Sequence, residues 1–160
     1  MTGIPRAEQI VFPPGYGAPS RLLAWDAVAA RLEAARHYWL ATVRPDGRPH
    51  VVPLDGLWVD GRWYFGGSEE AVKHRNLVAN PHANLHLEEA GSAVIVEGRC
   101  SFDPTTKSTA KRLSAASKQK YGYGMPASAY QAGVWTLSPA RVLAWTELPV
   151  DATRFLFDDR

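Results

Sequence analysis

Residues 37–54 read HYWLATVRPDGRPHVVPL, and they contain two strand-like segments around a turn. Two segments rich in apolar, β-branched and aromatic residues, 37–43 and 50–54, lie on either side of Pro45-Asp46-Gly47. Proline, aspartate and glycine favour tight turns, and such segments on both sides of a turn are typical of paired strands. The stretch therefore predicts an antiparallel β-hairpin.

The flanking segments extend this pattern in both directions. Asp60-Gly61 predicts a second tight turn between 57–59 and 63–65, so the hairpin continues as an antiparallel meander. On the N-terminal side, apolar residues recur at helical spacing after Ser20, which predicts an amphipathic helix over 20–33 with Ser20 as its N-cap. Residues 1–19 are rich in proline and glycine, and we expect them to form an extended arm.

Helices and strands alternate in the rest of the chain. The periodicity predicts a helix over 69–80, strands over 83–88 and 96–103, a helix over 105–121, a loop over 121–133, and strands over 134–137 and 141–147 joined at Ser138-Pro139. Parallel strands would need a crossover helix between most pairs, so this order favours a mainly β, antiparallel barrel with flanking helices. We expect one domain over 20–160, preceded by the arm.

Composition excludes several classes of protein. The chain has 160 residues, of which 46% are hydrophobic and 11% aromatic, and this excludes a disordered, collagen-like or coiled-coil protein. Its apolar runs are far shorter than the roughly 20 residues of a membrane span, and the N-terminus has no apolar signal-peptide region, so we expect no membrane association. The single cysteine, Cys100, agrees with a reducing compartment. We therefore expect a cytoplasmic protein.

Charge is nearly balanced overall but unevenly distributed. The formal net charge is +2, and the window 104–146 contains no acidic residue and six cationic ones, Lys107, Lys111, Arg112, Lys118, Lys120 and Arg141. A cationic region on a nearly neutral protein suits a small anion better than a nucleic acid, which we do not expect as a partner. The alternative is that these side chains form an ordinary solvated helix face.

Common catalytic and metal-binding patterns are missing. The sequence has no Gly-x-Ser-x-Gly elbow, no Gly-x-Gly-x-x-Gly turn and no phosphate loop, and Cys100 is expected within a strand. The five histidines form no His-x-x-x-His pair on a predicted helix, so we expect no metal site. No residue is therefore assigned as a catalytic acid, base or nucleophile.

Residues 66–81, GGSEEAVKHRNLVANP, predict a phosphate site. A glycine-bearing loop that enters a helix exposes backbone N–H groups, and Lys73 and Arg75 add positive charge. The alternative is an ordinary surface helix with two cations. Glu69 and Glu70 would repel a phosphate at the start of this helix and count against tight binding.

Four motifs give the chain a family resemblance: 38–53, the 58–65 hairpin, 73–77 with Asn80-Pro81, and 141–145. With these the chain resembles the pyridoxamine 5'-phosphate oxidase-like superfamily of split-barrel flavin and deazaflavin oxidoreductases, particularly its actinobacterial members. The resemblance implies a six-stranded antiparallel split barrel that forms a homodimer. It also implies that the deazaflavin F-420 or FMN binds in two clefts between the subunits.

The resemblance also implies a set of cofactor-binding residues. The residues implied along the cofactor ring and linker are Arg48, His50, Val51, Val52 and Pro53, and those implied to flank the ring are Tyr64, Phe65, Gly66 and Gly67. The residues implied near the phosphate are Ser68, Lys73, Arg75 and Asn76. The late strand is implied to contribute Trp145. Two positions depart from the family pattern. Relatives often have Ser-Arg-Lys where this chain has Ala71-Val72-Lys73, and a tryptophan is common where this chain has Asp55.

The function that follows is hydride transfer between reduced F-420 or FMN and a small conjugated organic acceptor. The alternative is a non-catalytic protein that binds a flavin, a deazaflavin or a planar ligand such as a tetrapyrrole. This alternative is motivated by the two departures from the family pattern, at Asp55 and Val72, and by the two acidic residues beside the phosphate site, Glu69 and Glu70. The C-terminus lacks the arginines that pyridoxamine phosphate oxidases use on their substrate, so vitamin B6 oxidation is not expected. The sequence leaves open whether the cofactor is F-420 or FMN. It also leaves open the identity of the acceptor, because acceptor choice depends on the cleft shape that the loop over 121–133 and the partner subunit set.

Overall fold

The computed structural model describes residues 3–158, which form a mainly β structure with flanking helices. The strands are β1 (Arg6–Gln9), β2 (Tyr38–Val43), β3 (Pro49–Leu54), β4 (Leu57–Val59), β5 (Arg62–Phe65), β6 (His82–His86), β7 (Val94–Asp103), β8 (Val134–Ala144) and β9 (Thr153–Leu156). The helices are α1 (Trp25–Ala34), α2 (Val72–Ala79), α3 (Lys107–Tyr121) and α4 (Ala127–Ala132). None of these helices has the length and apolarity that crossing a membrane requires.

All strand pairs are antiparallel, and the main sheet has the order β1-β9-β8-β7-β6-β2-β3. The β4–β5 hairpin joins the sheet through β5, which pairs with the first half of β8, whereas β9 pairs with the second half. The long strand β8 is therefore the branch point. This arrangement confirms the predicted mainly β, antiparallel split barrel with flanking helices.

Strand alternation places one face of the sheet in the core. Leu40, Leu85, Val96 and Val142 lie on neighbouring strands and are fully buried. Helix α1 covers this core with Val28 and Leu32. A second apolar cluster forms where α3 and α4 pack on the β4–β5 hairpin, through Leu57, Tyr64, Ala110, Leu113, Tyr130 and Val134. Burying these apolar side chains is the main source of stability.

Two predicted helix starts are wrong by several residues. Helix α1 begins at Trp25, because the backbone N–H groups of Ser20 and Arg21 donate to the Val150 carbonyl instead of entering a helix. Helix α2 begins at Val72, because the Ser68 hydroxyl and carbonyl accept hydrogen bonds from the N–H groups of Glu70 and Ala71 and hold a turn there.

Three other segments also differ from the sequence-based expectation. The loop predicted over 121–133 contains α4. The strands predicted on either side of Ser138-Pro139 are one strand, β8, since a bulge between Glu97 and Gly98 accommodates the proline. Strand β9 was not predicted; it pairs with β1, which lies within the predicted N-terminal arm. The first two residues of that arm and the last two of the predicted domain lie outside the described residues.

Candidate functional site

A large cavity, called the cleft here, opens between the barrel and the segment that joins α3 to α4. It has a volume of about 790 Å³. Its walls come from the β3–β4 connection, the end of β5 with the following glycines, the first turn of α2, and α3 with its C-terminal loop. The lining residues are His37, Pro53, Leu54, Asp55, Gly56, Leu57, Tyr64, Phe65, Gly66, Gly67, Lys73, Ser117, Tyr121, Tyr123, Gly124, Met125 and Tyr130.

Lys73 is a buried cation on the wall of the cleft. Only 6% of the residue is exposed, and its ammonium group has no ion-pair or hydrogen-bond partner within residues 3–158. Burial lowers the pKa of Lys73, because the charged form is desolvated without compensation from a carboxylate. An uncompensated ammonium facing a cavity is suited to bind an anionic group of a ligand.

Gly67 makes room for this ammonium group. Its φ of +124° is a conformation that side-chain-bearing residues rarely adopt. A Cβ atom at this position would lie 2.5 Å from Lys73 Nζ and 3.9 Å from His74 Nε2. The glycine therefore lets the chain pass directly over the two basic side chains, and any side chain at 67 would displace Lys73.

A second cavity, called the side cavity here, shares Phe65, Gly66, Gly67 and Met125 with the cleft. Its volume is about 620 Å³, and its other lining residues are Glu69, His74, Arg75, Val78, Phe102, Gly133, Val134 and Trp135. Trp135 is the central ring of its wall. The centroid of its ring lies 6.1 Å from that of Phe65, 5.7 Å from that of Phe102 and 5.4 Å from that of His74.

His74 is buried in the wall of the side cavity, and its Nε2 has no hydrogen-bond partner in the described part of the chain. Burial lowers the pKa of His74, and the charge of Lys73 lowers it further. The neutral form of the imidazole is therefore favoured, and one of its ring nitrogens is buried without a hydrogen-bond partner.

The structure brings six of the predicted cofactor-binding residues together around the cleft: Pro53, Tyr64, Phe65, Gly66, Gly67 and Lys73. It does not bring the predicted phosphate set together. Arg75 lies two residues after Lys73 on α2, so it points elsewhere and lines the side cavity. Ser68 lines neither cavity, and its hydroxyl accepts a hydrogen bond from the Glu70 N–H.

The remaining predicted residues lie away from both cavities. Arg48 is exposed and ion-paired with Asp46 at 2.9 Å. Val51 is exposed on β3, while Val52 packs against the core. Trp145 follows the end of β8, where its N–H donates to the Ala93 carbonyl.

His50 and Asn76 meet at one hydroxyl group. Asn76 is 1% exposed, and its amide donates a 2.9 Å hydrogen bond to Thr42 Oγ1. The Nδ1 atom of His50 lies 3.4 Å from the same oxygen. Burial lowers the pKa of His50, as do the charges of Arg44 and Lys73. Asn76 therefore joins α2 to the barrel, and His50 lies within the electrostatic reach of Lys73.

Sequence reasoning missed most of the cleft residues contributed by α3 and α4. Tyr121, Tyr123 and Met125 line the cleft, and so does Tyr130 on α4. The signal was the run Tyr121-Gly122-Tyr123-Gly124-Met125, which combines large side chains with flexible glycines in a segment expected to be a functional loop. His37 was likewise not selected. No group of three or more His, Cys, Asp or Glu side chains within residues 3–158 is placed to hold a metal ion.

The family model of pyridoxamine 5'-phosphate oxidase matches residues 24–146, which include the barrel strands β2–β8 and the glycine loop beside Lys73. The chain belongs to this family. No curated protein is matched by the sequence. The family assignment agrees with the antiparallel barrel, and it covers the cleft from Pro53 to Tyr130.

Solved structures agree with the fold of the pyridoxamine 5'-phosphate oxidase family. An F420 reductase is 22% identical, with a TM-score of 0.55 over 82% of this chain and 98% of its own. A conserved hypothetical protein from Mycobacterium tuberculosis is 18% identical, with a TM-score of 0.65 over 78% and 86%. HutZ, a heme storage protein from Vibrio cholerae, is 18% identical, with a TM-score of 0.55 over 74% and 90%. At these identities the similarity shows the fold alone.

Proposed function

We propose that this protein is an oxidoreductase that binds F-420 or FMN in the cleft and transfers a hydride between the reduced cofactor and a small conjugated acceptor. One observation carries the proposal: the Lys73 ammonium is buried on the cleft wall beside Gly67, with no counter-ion in the described part of the chain. The name of the F420 reductase among the structural neighbours is consistent with it.

The residues around the cleft fit such a cofactor. Lys73 would bind the cofactor phosphate, and the apolar surfaces of Tyr64 and Phe65 would pack against the ring system, which carries the hydride chemistry when bound. Tyr121 and Tyr130, on α3 and α4, line the cleft as well and would add apolar surface against the bound ring.

We also propose that two copies of the chain associate through the outer face of β2 and β3. Trp39, Ala41 and Val43 lie opposite Pro53, Val51 and Pro49 in the register, so all six share one face. Val43 and Val51 are 37% and 52% exposed. A partly exposed apolar sheet face of this kind is typical of a subunit interface.

A titration with both cofactors tests the proposed function. We expect oxidised F-420 or FMN to bind the purified protein with a micromolar or lower Kd, measured by the change in cofactor fluorescence. Riboflavin, which has the FMN ring without the phosphate, is the matched control and should bind much more weakly than FMN. Absence of binding by both phosphorylated cofactors would overturn the proposal.

The second candidate function is storage or transport of a planar ligand such as a tetrapyrrole. The wall of the side cavity, where His74 lies beside the rings of Phe65, Phe102 and Trp135, supports it, since imidazole is a common ligand of heme iron. A heme titration of the wild type and of His74→Ala tests this candidate, with exposed His82→Ala as the control.

Kinetics separate the two candidates. Reduced, cofactor-loaded protein is mixed in a stopped-flow instrument with quinones and enones. An enzyme should reoxidise its cofactor much faster than the free cofactor reacts, whereas equal rates would favour the binding protein.

A further inference from the structure

Asp55 presents a carboxylate oxygen to the cleft. The residue follows β3 directly and lines the cleft together with His37 and Tyr123. The Tyr123 hydroxyl donates a hydrogen bond to Oδ2, whereas His37 Nε2 lies 3.9 Å from Oδ1, which is beyond hydrogen-bond distance. Within residues 3–158 no group donates a hydrogen bond to Oδ1. One oxygen of this carboxylate therefore remains available to a ligand.

The backbone beside Asp55 is held from two sides. The Gly56 N–H donates to the Tyr121 hydroxyl oxygen at 3.0 Å, and that hydroxyl lies 2.8 Å from the Gly56 carbonyl oxygen. On the other side, a Cβ atom at position 56 would lie 2.2 Å from the indole nitrogen of Trp63. Asp55 is thus attached to a fixed peptide, and its carboxylate keeps its place on the cleft wall.

The carboxylate of Asp55 and the ammonium of Lys73 line the same cleft without neutralising each other. No ion pair joins them, and burial alone accounts for the lowered pKa of Lys73. The two cations near Tyr121, Arg36 and Lys120, do not line the cleft, and they donate to the carbonyl groups of Lys120 and Ala35. A ligand in the cleft therefore meets a separate cationic and a separate anionic position.

We propose that Asp55 selects the acceptor by charge, so that the conjugated acceptor of this enzyme carries a protonated amine or a similar cationic N–H donor. This inference rests on the proposed function, because Lys73 is then occupied by the cofactor phosphate and Asp55 is left to the acceptor. A cationic donor would form a charge-assisted hydrogen bond with Oδ1. An acceptor with a carboxylate at the same position would be repelled.

The test compares naphthoquinones that share one ring system and carry either an ammonium-bearing or a carboxylate-bearing side chain. Their Kd values are measured on protein loaded with the oxidised cofactor, so that no turnover occurs. We expect the wild type to bind the cationic quinone at least about tenfold more tightly than the anionic one. Asp55→Asn keeps the shape and an acceptor for Tyr123 but removes the charge, and it should reduce this ratio below threefold. Glu89→Gln, on the exposed β6–β7 loop, should leave the ratio unchanged.

Two results would overturn the inference: a wild-type ratio near one, or a ratio that Asp55→Asn leaves intact. A loss of cofactor affinity in Asp55→Asn beside such an unchanged ratio would place Asp55 against the cofactor. Failure of the proposed function is seen separately, in the cofactor titration that precedes the addition of quinone. If no cofactor binds, the proposed function is overturned, and the inference, which rests on it, is overturned with it.

Discussion

The side-chain amide of Asn76 donates a 2.9 Å hydrogen bond to Thr42 Oγ1, and both residues are buried. This bond fixes the distance between α2 and β2. Because Lys73 lies three residues before Asn76, on the same side of the helix, the bond also holds the ammonium group over the cleft. Asn76 therefore positions the site without lining it.

Removing this hydrogen bond should destabilise the fold more than it weakens ligand binding. Asn76→Ala or Thr42→Val each leaves a buried polar group without its partner, which costs about 1–3 kcal/mol of unfolding free energy. Urea denaturation measures the loss. In the double variant the second change should cost much less than it does alone, since the bond is already absent. Additive losses would contradict a direct Asn76–Thr42 interaction.

Lys73→Ala should weaken F-420 or FMN binding at least tenfold. A charge-assisted hydrogen bond is worth about 1.5–3 kcal/mol, or roughly 10- to 150-fold in affinity. The melting temperature should stay the same or rise, because a buried ammonium without a partner opposes folding. Lys118→Ala, exposed on α3, should change the affinity less than threefold. Equal effects of the two changes would show that only a diffuse positive field attracts the cofactor.

Asp151 should make stability depend on pH below about 4. Its carboxylate is buried and accepts hydrogen bonds from the Thr146 and Glu147 N–H groups at 2.9 Å. Burial raises the pKa of Asp151, but its hydrogen bonds and the charge of Arg21 have a larger, opposite effect. The hydrogen bonds come from the Thr146 hydroxyl and from these two N–H groups, and the resulting pKa is about 2, lowered from 3.8. A lowered pKa means that the folded state favours the ionised form. The stabilisation is thus complete above the unfolded pKa and is lost as the pH falls from about 4 to 2.

Asp151→Asn should therefore cost about 2 kcal/mol at pH 7, and less as the pH approaches 2. Urea midpoints of the wild type and the variant at pH 7 and pH 2.5 measure this difference. Asp103→Asn, exposed at the end of β7, should cost within about 0.5 kcal/mol. A difference between the wild type and Asp151→Asn that does not depend on pH would contradict the assignment.

Gly98→Ala should destabilise the barrel by at least about 2 kcal/mol. A Cβ atom at this position would lie 2.2 Å from the Ser138 carbonyl oxygen, which belongs to the paired strand and has little freedom to move. Thermal and urea unfolding measure the effect. Gly91→Ala is the matched control, because a Cβ atom there meets no atom within 4 Å. Similar stabilities of the two variants would show that the bulge adapts to a side chain.

Val51→Glu should convert the proposed dimer into a folded monomer. The change places a charge on the outer face of β3 without touching the core, because Val51 is 52% exposed. Sedimentation velocity measures the molecular mass, and far-UV circular dichroism checks the fold. Val11→Glu, at a position that is 88% exposed outside the sheet face, should leave the assembly unchanged. A monomeric wild type at micromolar concentration would contradict the proposed association.

Local sequence was enough to predict the hairpins and the barrel class. The turn residues Pro45-Asp46-Gly47 and Asp60-Gly61 favour a reversal of the chain direction independently of tertiary contacts. The alternation of apolar and polar residues over β2, β6 and β7 shows which face of each strand is buried. Segments whose partners lie far away in the chain were misjudged. β9 needs β8 and β1 as neighbours, and the segment around Ser20 is held by Val150.

The antiparallel class and the glycine loop before Lys73 could be predicted from the sequence, because turn and strand preferences act over a few residues. Which charged groups share a cleft depends instead on contacts between distant segments. Lys73 and Asp55, which are 18 positions apart, line the same cleft, whereas Arg75 lines the side cavity. The physical reason is that side-chain direction depends on the helix phase and the packing of α2, and Asn76 fixes both through its hydrogen bond to Thr42.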